Sequence, residues 1–145
     1  ISRTPDDDTP RPSGWDVPNW LLRVNTRDTL YLVAENGETA AIPVHTIPEA
    51  EKPSQGTHFS KLTPFTDQVT LGSVFGLPPK AKRDESWFVV TVTEQSMIKK
   101  SEICELPGPS AQTFTLVKVN KGDRLVSIRL SSGEQDIFLA SKSML

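Results

Sequence analysis

The chain has 145 residues, a formal net charge of −2 and one cysteine, Cys104. That length suits one domain or a few small modules sharing a core. A single thiol excludes an intrachain disulfide framework and fits a reducing compartment. No apolar run approaches the ~20 residues that span a bilayer, so no membrane partner is expected and the cytoplasm is the expected location. Acidic residues dominate up to Pro79, led by Asp6-Asp7-Asp8, and basic ones dominate from Lys80 onward. This asymmetry permits a polyanion-binding face without requiring one.

In chain order, residues 1–20 hold Pro5, Pro10, Pro12, Pro18, Gly14 and the aspartate run, which disfavour regular pairing and predict an extended arm. The start at Ile1, without a methionine or signal-like segment, leads us to expect a piece of a longer protein. At least one of Trp15 and Trp20 is expected to pin the arm to the folded part. Trp20–Val24 is a short strand candidate, and residues 25–28 form a turn. Leu30–Ala34 then reads as a buried strand. Asn36-Gly37 tolerates two successive positive φ angles, as a two-residue hairpin needs. Thr39–Val44 returns, with Pro43 at an edge or near the strand end because it lacks a ladder donor. Residues 45–54, with Pro48 and Pro53, cross the surface. Thr57–Leu62 and Gln68–Val74 are two further strand candidates.

The plan then recurs. After a basic loop over residues 80–86, Trp87–Val92 and Met97–Lys100 repeat the hairpin, with Glu94-Gln95-Ser96 in place of Glu35-Asn36-Gly37. Pro107-Gly108-Pro109 marks a second crossing. Thr113–Val119 and Leu125–Leu130 follow as strands, joined by a turn at residues 120–124. Ala34, Val92 and Ala140 fall at equivalent points, at offsets of 58 and 48. Phe59 matches Phe114, Asp67-Gln68-Val69 matches Asp123-Arg124-Leu125, and Val74 lies close to Leu130. No apolar period of 3.6 residues is sustained over helix length. The expected fold class is all-β and propeller-like. Residues 21–79 and 87–133 form two four-stranded antiparallel modules, and residues 134–145 form the opening strand of a further one.

Leu30–Gly37, His45–Ala50, Gln55-Gly56, Gly122-Asp-Arg-Leu125 and Asp136–Ala140 together resemble the C-terminal domain of the A subunit of DNA gyrase and that of its relative, the topoisomerase IV A subunit. The resemblance covers residues 21–145. It implies a β-pinwheel, a ring of bent four-stranded blades that exchange strands and wrap DNA on a basic perimeter. Two blades and the start of a third make this a partial pinwheel. The implied partners are double-stranded DNA and the rest of a topoisomerase A subunit with its ATPase partner subunit, in a nucleoid-associated setting. Open blade edges invite self-association. The resemblance departs at one point. Gyrase carries a Gln-Arg-Arg-Gly-Gly-Lys-Gly box in its first blade, whereas the chain begins Ile1-Ser-Arg-Thr-Pro-Asp-Asp-Asp-Thr-Pro10. Either the box lies before Ile1 or there is none, and the second case would put gyrase-type supercoiling in doubt while leaving topoisomerase IV-like or weaker DNA binding open.

The expected DNA-backbone contacts are Lys99, Lys100, Lys118, Lys121, Arg124, Lys80, Lys82 and Arg83. Phosphate contacts need long cations on a solvated rim. The competing reading of Lys99-Lys100 is a strand end kept soluble by lysine. For Lys80, Lys82 and Arg83 the competing reading is a solvated linker, since Asp84-Glu85 follow at once. His45, His58 and Cys104 show no metal-ligand spacing, and no Gly-x-Ser-x-Gly frame is present, so no catalytic residue, metal or cofactor is expected. The acidic run reads as a solvated tail. Trp87 and Phe88 read as core or interblade packing, and Tyr31, inside a strand, as structural. The domain is then not an enzyme by itself but an accessory to an ATP-dependent topoisomerase. The alternative is a pinwheel-type protein-interaction module that has lost DNA wrapping.

Overall fold

The computed structural model describes residues 1–3, 20–50 and 55–132. The expectations for residues 4–19 and for the strand over 134–145 lie outside the described residues. Seven strands follow in order: β1 (Thr29–Ala34), β2 (Glu38–Pro43), β3 (Leu71–Leu77), β4 (Phe88–Thr93), β5 (Ile98–Glu102), β6 (Phe114–Thr115) and β7 (Leu125–Ser131). They form two sheets, ordered β3-β1-β2-β6 and β5-β4-β7. All pairings within these sheets are antiparallel.

The second module lends its strand β6 to the first sheet, where Thr115 stands opposite Glu38 and Phe114 opposite Thr39. The first sheet therefore reaches four strands by borrowing, and the second has three among the described residues. Strand alternation sorts the side chains of β1. Leu30, Leu32 and Ala34 face a cluster closed by Phe65 and, half-buried, by Phe59 and Leu62. Tyr31 and Val33 face the second module and pack with Val89, Leu116, Val117, Leu125 and Ile128. Each fully buried aliphatic side chain there contributes about 1.5–3 kcal/mol, so the interface between modules is a core in its own right.

Several sequence expectations shift. Residues 20–24 form no strand, and Trp20 is 40% exposed. The candidate over Thr57–Leu62 is instead a single 3-10 turn, Phe59–Lys61, initiated by the His58 ring accepting from the Ser60 amide. Trp87, expected in core or interblade packing, is 39% exposed just ahead of β4. The repeat register also moves by one. The bulge at the end of β1 falls at Ala34 and that of β4 at Thr93, so Ala34 matches Thr93 rather than Val92. Likewise Leu71 opposes Ala34 as Leu125 opposes Thr93, which puts Val74 with Ile128 rather than near Leu130.

The first hairpin differs from the expected two-residue turn. The Gly37 amide donates to the Ala34 carbonyl at 2.9 Å, and Gly37 has φ +90 while Asn36 keeps a negative φ. This is a turn followed by one left-handed residue, the three-residue hairpin pattern. A Cβ on Gly37 would lie 1.8 Å from the Val117 carbonyl oxygen, because the segment after β6 crosses there and the Leu116 amide donates to the Gly37 carbonyl at 3.1 Å. Gly37 thus serves both the backbone angle and the approach of the second module. Ser96, its counterpart, takes φ +66. Chemical denaturation should show Gly37→Ala losing about 2–5 kcal/mol, since left-handed strain costs roughly 1–2 and overpacking roughly 1–3. Ser96→Gly should gain up to about 1 kcal/mol, because relief of strain exceeds the added chain entropy.

Candidate nucleic-acid interface

β3 and β7 touch each other across the two sheets, and β6 and β5 stand at the other ends of the two strand orders. Lys99 and Lys100 stand on β5, opposite Thr91 and Val90 of β4, so they project from opposite faces of the strand. The Lys99 ammonium donates to the Leu116 carbonyl at 2.9 Å, which draws it toward the segment carrying Lys118 and Lys121. Both of those lysines are exposed, and Lys121 sits in a turn closed by the Asp123 amide on the Asn120 carbonyl. The Lys100 ammonium lies 4.0 Å from the Phe88 ring centroid, a cation–π contact that leaves the charge on the surface.

Arg124 is committed elsewhere. It bonds Glu94 at 2.9 Å and Glu35 at 3.4 Å, tying the turn of β4 and β5 to that of β1 and β2. The Glu94 hydrogen bond and charge hold its pKa above the ordinary arginine value, and two carboxylates offset its field toward a phosphate. Its neighbour Asp123 is also fixed. Partial burial pushes that carboxyl up, but bonds from the Thr93 hydroxyl and the Gln95 and Arg124 amides outweigh it and hold the pKa below the ordinary range.

Lys80 and Lys82 are exposed on a single 3-10 turn in the linker between β3 and β4. Sequence reasoning missed their company. Lys82 shares a cleft with Arg27 and Asp28, between residues 25–28 and Pro78-Pro79. Arg27 sat in an ordinary turn, and only the fold brings it beside the interblade linker.

Arg83 departs from the expected rim contact. It is 8% exposed. Nε donates to the Pro78 carbonyl at 3.1 Å, Nη1 to those of Ile103 and Leu106 at 3.0 Å each, and Nη2 to the Tyr31 hydroxyl at 2.6 Å. Carbonyl dipoles thus solvate the buried cation. A phosphate has no access to it. Among the described residues no group of three or more His, Cys, Asp or Glu side chains is placed to hold a metal ion.

Tyr31 is structural in the same knot. Its hydroxyl donates to the Pro107 carbonyl at 2.5 Å, and its ring stacks on Phe75 at 4.8 Å. Burial raises its pKa above the ordinary phenol value, more than the Arg83 charge and hydrogen bond lower it. The chain has one tyrosine, so phenolate absorbance reads this group alone. Its titration should begin above the free-phenol range. Between the unfolded and folded values the native state keeps a proton that the unfolded chain has lost. The associated stability should therefore be complete below the ordinary phenol value and lost as pH climbs through the folded one. A midpoint at or below the free-phenol value would contradict this burial.

Two packed blades with a strand passed between them form part of a β-pinwheel. The crystal structure of the C-terminal domain of DNA topoisomerase IV has this fold, with a TM-score of 0.63 and 22% identity, over 76% of this chain and 33% of that one. In sequence the chain is 24% identical over 128 residues, 88% of its length, to the A subunit of DNA gyrase from Streptococcus pyogenes serotype M1. It is 26% identical over 126 residues, 87% of its length, to the A subunit of DNA gyrase from Salmonella typhimurium. The chain spans only 15% and 14% of these relatives' lengths. No protein-family model matches it. The chain is homologous to a part of the gyrase A protein and carries the pinwheel fold of a type IIA topoisomerase C-terminal domain.

Proposed function

We propose that this chain is the non-catalytic DNA-binding and DNA-wrapping domain of a type IIA topoisomerase A subunit. It acts through sequence-independent backbone contacts and contributes to the control of DNA topology. The observation that carries this reading is the pinwheel fold on a segment homologous to the gyrase A protein. Its partners are then duplex DNA, the remainder of the A subunit, plus an ATP-hydrolysing partner subunit, in the cytoplasm at the nucleoid.

Lys99, Lys100, Lys118 and Lys121 are the proposed perimeter contacts, with Lys80 and Lys82 as a separate group in the linker between β3 and β4. An ammonium has three donors, so Lys99 keeps two for a phosphate while Leu116 holds its position. Arg124 is a weaker candidate because of its two carboxylates, and Arg83 is withdrawn because it is buried. Smoothly bending 20–30 base pairs by 40–90° costs about 1–6 kcal/mol, so several such contacts must act together. Among the described residues no α-helix is available to read base edges, which fits binding indifferent to sequence.

A mobility shift with duplex DNA of more than ~100 base pairs should show affinity falling steeply as salt rises. Replacing Lys99 and Lys100 together by Glu should cost about 1–3 kcal/mol and flatten the log–log salt slope by about 2, one unit for each lost contact. An unchanged slope would remove β5 from the interface. Absence of any shift at low salt would favour the protein-interaction reading instead.

A further inference from the structure

The joint between the blades contains a cation that the DNA reading does not use. Arg83 is the one charged residue buried with the core among the described residues. It belongs to the linker, yet it binds both sides at once: Tyr31 of β1, and the carbonyls of Ile103 and Leu106 on the crossing segment of the second module. Among the described residues its acceptors are three carbonyls and one hydroxyl, with no carboxylate. Its guanidinium carbon also lies 5.6 Å from the Tyr31 ring centroid.

The side chains packed in the joint are otherwise apolar, Val33 and Phe75 on one side and Leu116, Val117 and Ile128 on the other, while the pairing of β6 with β2 and the Arg124–Glu35 bond tie the modules away from Arg83. Apolar burial is non-directional, and such surfaces repack with modest loss. A planar fork of N–H donors is directional, and each bond it makes restricts rotation as well as separation. The first module offers a parallel. Arg3 Nε donates to the Ile47 carbonyl at 2.6 Å, and Ile47 stands 59 positions before Leu106, the same spacing that relates Ala34 to Thr93. The same carbonyl of the crossing segment is an arginine seat in both modules. Only in the second is that arginine buried between two blades.

We propose that Arg83 is the positioning residue of the blade joint: it fixes the rotation of one blade against the next and thereby the curvature of the surface along which DNA runs. The DNA clause rests on the function proposed above; the joint clause does not. In repeat architectures the overall curvature follows from a small rotation per repeat, so a slack joint changes the path of anything bound along several blades.

The test uses spin labels at Lys61→Cys and Glu102→Cys, one on each module, in a Cys104→Ser background. Electron–electron distances are compared for Arg83, Arg83→Lys, Arg83→Met and Tyr31→Phe. Arg83→Met should shift and broaden the distance distribution, Arg83→Lys should lie between it and wild type, and Tyr31→Phe should show a smaller change. Bending of an end-labelled duplex long enough to cross the joint should fall in the same order. Affinity for a duplex too short to cross it should stay unchanged. A folded Arg83→Met protein with the wild-type distribution overturns the proposal. If that variant does not fold, a folded Tyr31→Phe protein with wild-type distances and wild-type bending overturns it equally. If the distances move but no duplex binds, the joint assignment stands and the DNA reading fails. If the distances move and bending does not, the curvature clause is wrong.

Discussion

The segment Phe114–Val117 holds the molecule together. It leaves the second module, pairs with β2, passes over the first hairpin at Gly37 and returns to its own sheet, burying Leu116 and Val117 on the way. Without it the sheet β3-β1-β2 would expose its inward face and the edge of β2 to water, with every unpaired backbone group there solvated. The crossing covers the edge of β2 and the inward face of the first sheet in one pass. It also explains why Ala41, small and fully buried on the face toward the second module, occupies the middle of β2. Larger side chains would push the borrowed strand and the facing module away.

Charge is distributed in accordance with that packing. Where blades meet, the buried cation is an arginine solvated by carbonyls, since a guanidinium spreads its charge over several donors and loses less hydration than an ammonium. Where the surface is open, the cations are lysines that stay exposed, as with Lys100, whose ammonium rests over the Phe88 ring. Arg124 is intermediate, an exposed arginine that clamps the two hairpin turns through Glu35 and Glu94. A count of basic residues treats these three uses alike, yet only the second leaves charge free for a phosphate.

Much of the architecture was legible in the sequence because it rests on local rules. The β-branched strands, the Gly37 and Gly122 turns and the recurrence of the hairpin announce an all-β repeat. What stayed hidden was long-range. Thr113–Val119 has strand composition, but nothing local reveals that Phe114–Thr115 pairs with the preceding module rather than with its own. The bulges at Ala34 and Thr93 are equally silent, and matching Ala34 to the apolar Val92 left that pairing one position off. Phe59 and Phe114 match in sequence but diverge in structure. One begins a 3-10 turn over its own sheet, the other a donated strand. For the candidate interface, positions in sequence grouped Lys80, Lys82 and Arg83. The fold separates the first two, which are exposed, from the third, which is sealed in the joint.

The two repeats differ most where their environments differ, and this bears on the lysines of β5. At the spacing of 59, Ala40-Ala41 of β2 correspond to Lys99-Lys100, and the same register sets Phe75 of β3 against Arg129 of β7. At Ala41 and Phe75 the change replaces a residue covered by the second module with a cation on the sheet that has no such cover among the described residues, whereas Ala40 faces the first module's own cluster. Lysines on an outer strand suppress edge-to-edge pairing, and long cations on a perimeter also attract phosphate. The two uses are compatible, because both require a charge that stays solvated. They are separable in principle, since edge protection acts through desolvation on close contact whereas phosphate attraction is weakened by screening salt. One pair of substitutions relative to the first repeat thus supplies both a strand that resists random association and a surface able to hold a polyanion.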